Sequence, residues 1–185
     1  MSEPSLPEKI VAIDRRLQSA KIPHAFGGAL ALAYYAEPRA TDDVDINVFL
    51  APAAFADVAE ALGELGVATD VQPSDVERDG QCRVAWGRTP LDLFFAYDEL
   101  HEAMRRGARL VPFGEDRLPI LAPEHLLVCK VVFDRPKDWL DIEQMLLCVE
   151  DLDTAEIERW LERILGSQDR RSLRLERTAR RLLTG

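Results

Sequence analysis

Three acids and two glycines stand where they could handle phosphate. In Thr41-Asp42-Asp43-Val44-Asp45-Ile46, the side chains of Asp43 and Asp45 share one face if the segment is extended, because strand side chains alternate with period two. Apolar Val44 and Ile46 then turn to the core. The two carboxylates meet at the lip of a sheet, where an uncompensated negative pair is costly to bury even in part. A divalent cation removes that cost. Mg2+ suits the pair, since it takes a few carboxylate oxygens together with substrate phosphates rather than an all-protein cage, and Mn2+ can stand in its place.

The remaining parts lie on either side of that pair. Gly27-Gly28 falls at a predicted strand-to-helix turn, where backbone amides can come close to phosphate and a helix N-terminus favours negative charge. Asp92, in Leu91-Asp92-Leu93-Phe94-Phe95, is a lone charge in an apolar strand and needs a partner. If its strand lies beside the one carrying Asp45, the three carboxylates can hold two ions that bridge an attacking oxygen and the phosphates.

The elements that must position these groups follow from periodicity and punctuation. A helix is predicted over 7–20 with Ile10, Ile13 and Leu17 on its buried side, then a strand over 21–26 and a helix over 29–36. The most clearly patterned strand covers 44–50, followed by a helix over 52–65 and a charged loop over 67–82. Strands over 83–86 and 91–95 flank a turn at 87–90, and Asp98 caps a helix through Arg106. Short extended pieces near 109–112 and 118–121 precede helices over 123–134, 136–149, 154–165 and 169–183. The expected fold class is α+β: a small mixed β-sheet flanked by helices over residues 1–121, then an all-helical C-terminal lobe over 122–185. The two lobes are expected to enclose one cleft.

Composition narrows the function classes. The chain has 185 residues, 47% hydrophobic and 30% charged, with a formal net charge of −10, so it repels nucleic acid at long range. A nucleic-acid acceptor needs a local basic surface. The candidate is the C-terminal run Arg170, Arg171, Arg174, Arg177, Arg180 and Arg181, for which a solvated helix face is the plainer reading. The N-terminus lacks the apolar run of a secretory signal, and no stretch approaches the ~20 apolar residues of a membrane span. Cys82, Cys129 and Cys148 form no CxxC pair, so neither a disulfide framework nor a zinc site is indicated. A cytoplasmic protein without a membrane partner is expected. His24, His101 and His125 share no ligand spacing.

The blocks in order resemble the nucleotidyltransferase superfamily that includes DNA polymerase beta, and especially its AbiEii-like branch of toxin–antitoxin nucleotidyltransferases. They are Gly27-Gly28-Ala29-Leu30-Ala31-Leu32, Arg39-Ala40-Thr41-Asp42-Asp43-Val44-Asp45-Ile46, Leu91-Asp92-Leu93-Phe94, Leu118 to Leu126 leading to Lys130, and Arg135-Pro136-Lys137-Asp138-Trp139-Leu140-Asp141-Ile142. Gly-Gly stands where many members carry Gly-Ser.

The resemblance implies a palm-like first lobe and a two-metal enzyme that moves a nucleoside monophosphate from a nucleoside triphosphate to an acceptor hydroxyl. It implies that Asp43 and Asp45 bind both ions, while Asp92 binds the catalytic ion and helps deprotonate the acceptor. Gly27 and Gly28 would hold the triphosphate, and Lys130 would reach the phosphates from the first helix of the second lobe. Asp138 and Asp141 match the acidic pair of that lobe. Arg39 and Thr41 match positions that contact phosphate or order the loop. The acceptor the branch suggests is an RNA 3′ end, above all tRNA, with a cognate antitoxin as partner. A partner protein or a small molecule such as an aminoglycoside is the alternative acceptor, and a non-catalytic cation-binding module is the alternative class.

Overall fold

In the computed structural model, which describes residues 3–183, a mixed sheet and two sets of helices form the expected α+β architecture. The strands are β1 (His24–Phe26), β2 (Val44–Val48), β3 (Gln81–Trp86), β4 (Thr89–Phe95), β5 (Arg109–Phe113) and β6 (Asp116–Ile120). They lie in the order β3-β4-β2-β1-β6-β5. Central β2 runs parallel to β4 and antiparallel to β1, which in turn is parallel to β6. The antiparallel hairpins β3–β4 and β5–β6 form the two edges.

The chain divides into two compact units. The first runs up to Leu30 and resumes over Ala40–Leu121; the second joins Ala31–Arg39 to the residues from Ala122 onward. The stretch 31–39, read from sequence as part of the first lobe, therefore belongs with the helices. Residues 1–2 and 184–185, the ends of the two expected lobes, lie outside the described residues.

In the first unit, α1 (Leu6–Ser19) packs on β6 and on α3 (Phe55–Gly63). Ile10, Ile13 and Leu17 are buried as their spacing predicts, but so is Lys9. Its ammonium is satisfied by Glu3, by the Trp86 carbonyl at 2.8 Å and by the Thr89 hydroxyl at 2.9 Å. The chain near the N-terminus is thus pinned to the turn of the β3–β4 hairpin.

Three expectations are corrected here. The loop predicted over 67–82 contains α4 (Pro73–Asp79), with Pro73 in its first turn, Val76 fully buried and Gly80 closing it at φ +66°. Its single buried residue leaves no periodic stripe to find. Helix α2 (Gly28–Leu32) stops four residues short of the predicted end. A turn follows over 33–35, and Pro38 disfavours helical geometry in its predecessor. The turn of the first hairpin is the two-residue Gly87-Arg88 rather than four residues, because Thr89 and Pro90 already pair with Trp86 and Ala85.

The first unit closes with α5 (Glu99–Gly107), capped by the Asp98 carboxylate on the His101 amide. In the second unit, α6 (Pro123–Phe133) is surrounded by α7 (Pro136–Cys148), α8 (Thr154–Leu165) and α9 (Arg170–Leu183). Pro123 and Pro136 occupy first-turn positions, as read from sequence. Leu127, Val128, Val131, Ile142 and Met145 form its core. Among the described residues no helix is long and apolar enough to cross a membrane.

That core contains an acid-sensitive point. His125 is buried on α6; its Nε2 lies 3.3 Å from Glu156 Oε1 but is misaligned, so neither ring nitrogen is hydrogen-bonded. Burial pushes its pKa below the ordinary 6.5, opposed in part by Glu156 and Glu124. The unfolded chain then binds a proton that the folded chain refuses, so stability is lost as pH falls below the unfolded value. Thermal melts between about pH 7 and about pH 5 are expected to show this loss, and His125→Gln is expected to reduce its slope.

Candidate active site

The site begins with strand register. Asp45 on β2 and Asp92 on β4 are direct partners across the parallel pair, and Arg83 on β3 is the partner of Asp92 on its other side. Facing residues of a sheet project to the same side, so Asp45, Asp92 and Arg83 line up across three strands. Leu91, Leu93 and Phe95 alternate with Asp92 and take the buried face, leaving Asp92 half-buried on the other.

The lone charge on β4 does have a partner, and it is one the sequence reading missed. Arg83 donates from Nε to Asp92 Oδ1 and from Nη2 to Asp92 Oδ2, both at 2.7 Å, a two-pronged grip of the kind that makes Arg–carboxylate pairs strong. The same Nη2 is 3.5 Å from Asp43 Oδ2. The hydrogen bonds and charge of Asp92, reinforced by the charges of Asp43 and Asp45, raise the Arg83 pKa above its already high ordinary value. Asp92 and Asp43 therefore share one guanidinium, and the charge of Asp45 acts on it as well.

The glycine pair is built into the same place. Gly27 donates its amide to the Asp45 carbonyl at 2.9 Å, and Gly28 starts α2 at φ +52°. A Cβ on Gly28 would stand 1.7 Å from Asp45 Oδ2. The carboxylate thus lies directly on the glycine backbone, where only glycine offers both the conformation and the space. Gly28→Ala is expected to displace the Asp45 carboxylate and to destabilise the fold by about 1–3 kcal/mol. Denaturant unfolding of the variant checks the loss.

Asp43 precedes β2 in a turn that Thr41 holds, the Thr41 Oγ1 accepting the Asp43 amide at 3.3 Å. Three carboxylates around a single cationic group are a donor set suited in chemistry to Mg2+ or Mn2+, which take oxygen ligands. Among the described residues no three acidic or thiol or imidazole groups form a ready-made cage, and Asp92 gives both oxygens to Arg83 instead.

Lys130, Asp138, Asp141 and Arg39 sit together in the second unit. Lys130 is 3% exposed, with Nζ 2.6 Å from Asp141 Oδ2 and 4.0 Å from Asp138 Oδ1. Asp141 also accepts from Arg39 Nε at 3.2 Å and Nη2 at 3.3 Å, and Asp138 accepts from Arg135 Nε at 2.6 Å. The amine expected to reach phosphate is therefore enclosed by carboxylates of its own unit. The same network fastens Arg39, two residues before Thr41, to the helices.

A sheet ordered β3-β4-β2-β1-β6-β5, with acids paired across two adjoining parallel strands and a glycine turn against one of them, is a nucleotidyltransferase fold. Solved structures with this architecture include the antibiotic-resistance factor ANT(2'')-Ia in solution, at a TM-score of 0.57 and 16% identity, with 97% of this chain and 94% of that one covered. The crystal structure of ANT(2'')-Ia with adenylyl-2''-tobramycin matches at a TM-score of 0.56 and 14% identity, covering 96% of each chain. The lincosamide antibiotic adenylyltransferase LnuA, with lincomycin bound, matches at 0.54 and 12% identity, over 78% of this chain and 98% of that one. At such identities the likeness is one of fold. No family model and no curated protein matches the sequence.

Proposed function

We propose that the chain is a nucleotidyltransferase that moves a nucleoside monophosphate from a nucleoside triphosphate to an acceptor hydroxyl. The observation that carries this reading is the register of Asp45 and Asp92 on parallel strands, with Asp43 drawn to the same guanidinium and Gly28 lying under the Asp45 carboxylate. Asp43, Asp45 and Asp92 would hold Mg2+ or Mn2+, which when bound neutralises phosphate charge and polarises the bond under attack. Asp92 accepts the acceptor's hydroxyl proton, as a carboxylate placed at the reacting centre can. The Gly27-Gly28 backbone, which carries no side chain, lets the triphosphate approach closely. Arg39 and Thr41 order the loop into Asp43, and the Lys130–Asp141 pair holds Arg39.

For the acceptor, the favoured reading is a small cationic polyhydroxyl compound such as an aminoglycoside. The net charge of −10 suits a cationic acceptor. Four of the six arginines of the run are ion-paired, Arg170 and Arg174 with Asp134, Arg171 with Asp169 and Arg181 with Glu143, which offsets part of its basic charge. The tobramycin complex of ANT(2'')-Ia shows that a chain of this fold can accommodate such a product. The second reading, an RNA 3′ end modified by an AbiEii-like toxin with a cognate antitoxin, rests on the order of the sequence blocks. A partner protein is the third acceptor.

Incubating the pure protein with Mg2+, each labelled nucleoside triphosphate, and separately aminoglycosides, total RNA or cell lysate distinguishes these. Label on the aminoglycoside, lost in Asp43→Ala and Asp45→Ala, is the expected result. Label on RNA or on a protein replaces the acceptor. No label anywhere, with Mg2+ still raising the melting temperature, would reduce the chain to a cation-binding module.

A further inference from the structure

We propose that Arg83 is a tethered counter-ion of the carboxylate site, which a divalent cation must displace from Asp92 before the site can load. The inference rests on the reading of Asp43, Asp45 and Asp92 as metal ligands and adds a residue that reading does not contain.

Both Asp92 oxygens are committed to Arg83, and the nearer Asp43 oxygen faces the same nitrogen. A cation bound to these carboxylates competes for the lone pairs that the guanidinium occupies, and its double positive charge repels a guanidinium held against the same oxygens. Occupancy by one therefore loosens the two-pronged grip of the other. The exchange is physically easy. Arg83 lies on the edge strand β3 with its side chain 60% exposed, whereas Asp92 is 20% exposed. The guanidinium can swing into water at small cost, while the carboxylates remain fixed by strand register and by the Gly28 contact. Asp43 and Asp92 together carry more charge than the one guanidinium they share, so the pair still attracts a doubly charged ion.

Arg83 also explains how three carboxylates stay together before a cation arrives. Asp45 and Asp92 are direct neighbours across a strand pair, where like charges repel. Arg83 relieves that repulsion, so the ligands are pre-arranged and the metal replaces one countercharge with a stronger one.

The test is calorimetric titration of Mn2+ into the full chain without nucleotide, for wild type, Arg83→Lys and Arg83→Gln. Removing the competitor is expected to tighten Mn2+ binding about fivefold in R83Q, with R83K between the two because a Lys ammonium cannot grip two-pronged. Should R83Q fold poorly, the wild-type protein answers the question alone: the Arg83 Nε–H resonance is expected to move and sharpen towards that of a solvated arginine as Mg2+ saturates. Equal or weaker Mn2+ binding by R83Q, or an Arg83 resonance unmoved by saturating Mg2+, overturns the displacement and leaves the metal site standing. Absence of Mn2+ binding in all three proteins overturns both.

Discussion

Asp92→Asn is expected to lower the turnover of nucleotidyl transfer about 10³-fold, within the range that loss of a positioned proton acceptor produces, while the melting temperature changes by only a few degrees. The contrast follows from placement. Asn keeps the volume and the half-buried position between Leu91 and Leu93, and the Arg83 contact it weakens is with a largely exposed guanidinium, so little stability is at stake. Under the proposed function, the amide would neither take the hydroxyl proton nor contribute charge to a cation shared with Asp43 and Asp45. Pyrophosphate release, measured at saturating triphosphate for both proteins, checks the prediction. Turnover within tenfold of wild type would remove Asp92 from the chemistry.

Lys130→Ala is expected to have the largest effect on stability, about 3–5 kcal/mol, because it removes the buried cation that two buried carboxylates share. Asp141 would retain only Arg39, and Asp138 only Arg135. The double replacement Lys130→Met with Asp141→Leu removes both charges and is expected to recover part of that loss, since an apolar pair of similar volume avoids the desolvation cost. Urea unfolding of the three proteins gives the comparison. A loss below about 1 kcal/mol in Lys130→Ala, the level of an exposed pair, would show that the amine spends its time in solvent, as the phosphate-reaching role that the resemblance implied requires.

How far the site could be read in advance depended on what each residue's position relies on. Asp43 and Asp45 declare their shared orientation locally, through the alternation around Val44 and Ile46, and Gly27-Gly28 marks a break between a strand and a helix; both are short-range signals. Arg83 was missed for want of one turn assignment. Once Gly87-Arg88 is recognised as a two-residue turn, antiparallel counting places residue 83 opposite residue 92, so the signal existed and was lost by taking the turn two residues too long. Lys130 is different. Its burial arises from the packing of α6 against α7 and from the return of the 31–39 segment to the helical unit, and no periodicity in its own neighbourhood encodes that. Helix α4 escaped for a related reason, with one buried side chain in seven residues.

The parallel pairing of β2 with β4 carries a consequence for the order in which the molecule can acquire activity. Parallel neighbours cannot be joined by a tight turn, and here the connection passes through α3, α4 and the whole of β3. Asp45 and Asp92 therefore meet only after that long excursion has closed, a step made slow by the entropy of bringing distant segments together. A nascent or partly unfolded chain holds its acids apart and, on the proposed function, would be chemically silent. Appearance of turnover during refolding would thus be a clock for completion of the sheet rather than for collapse of the helices.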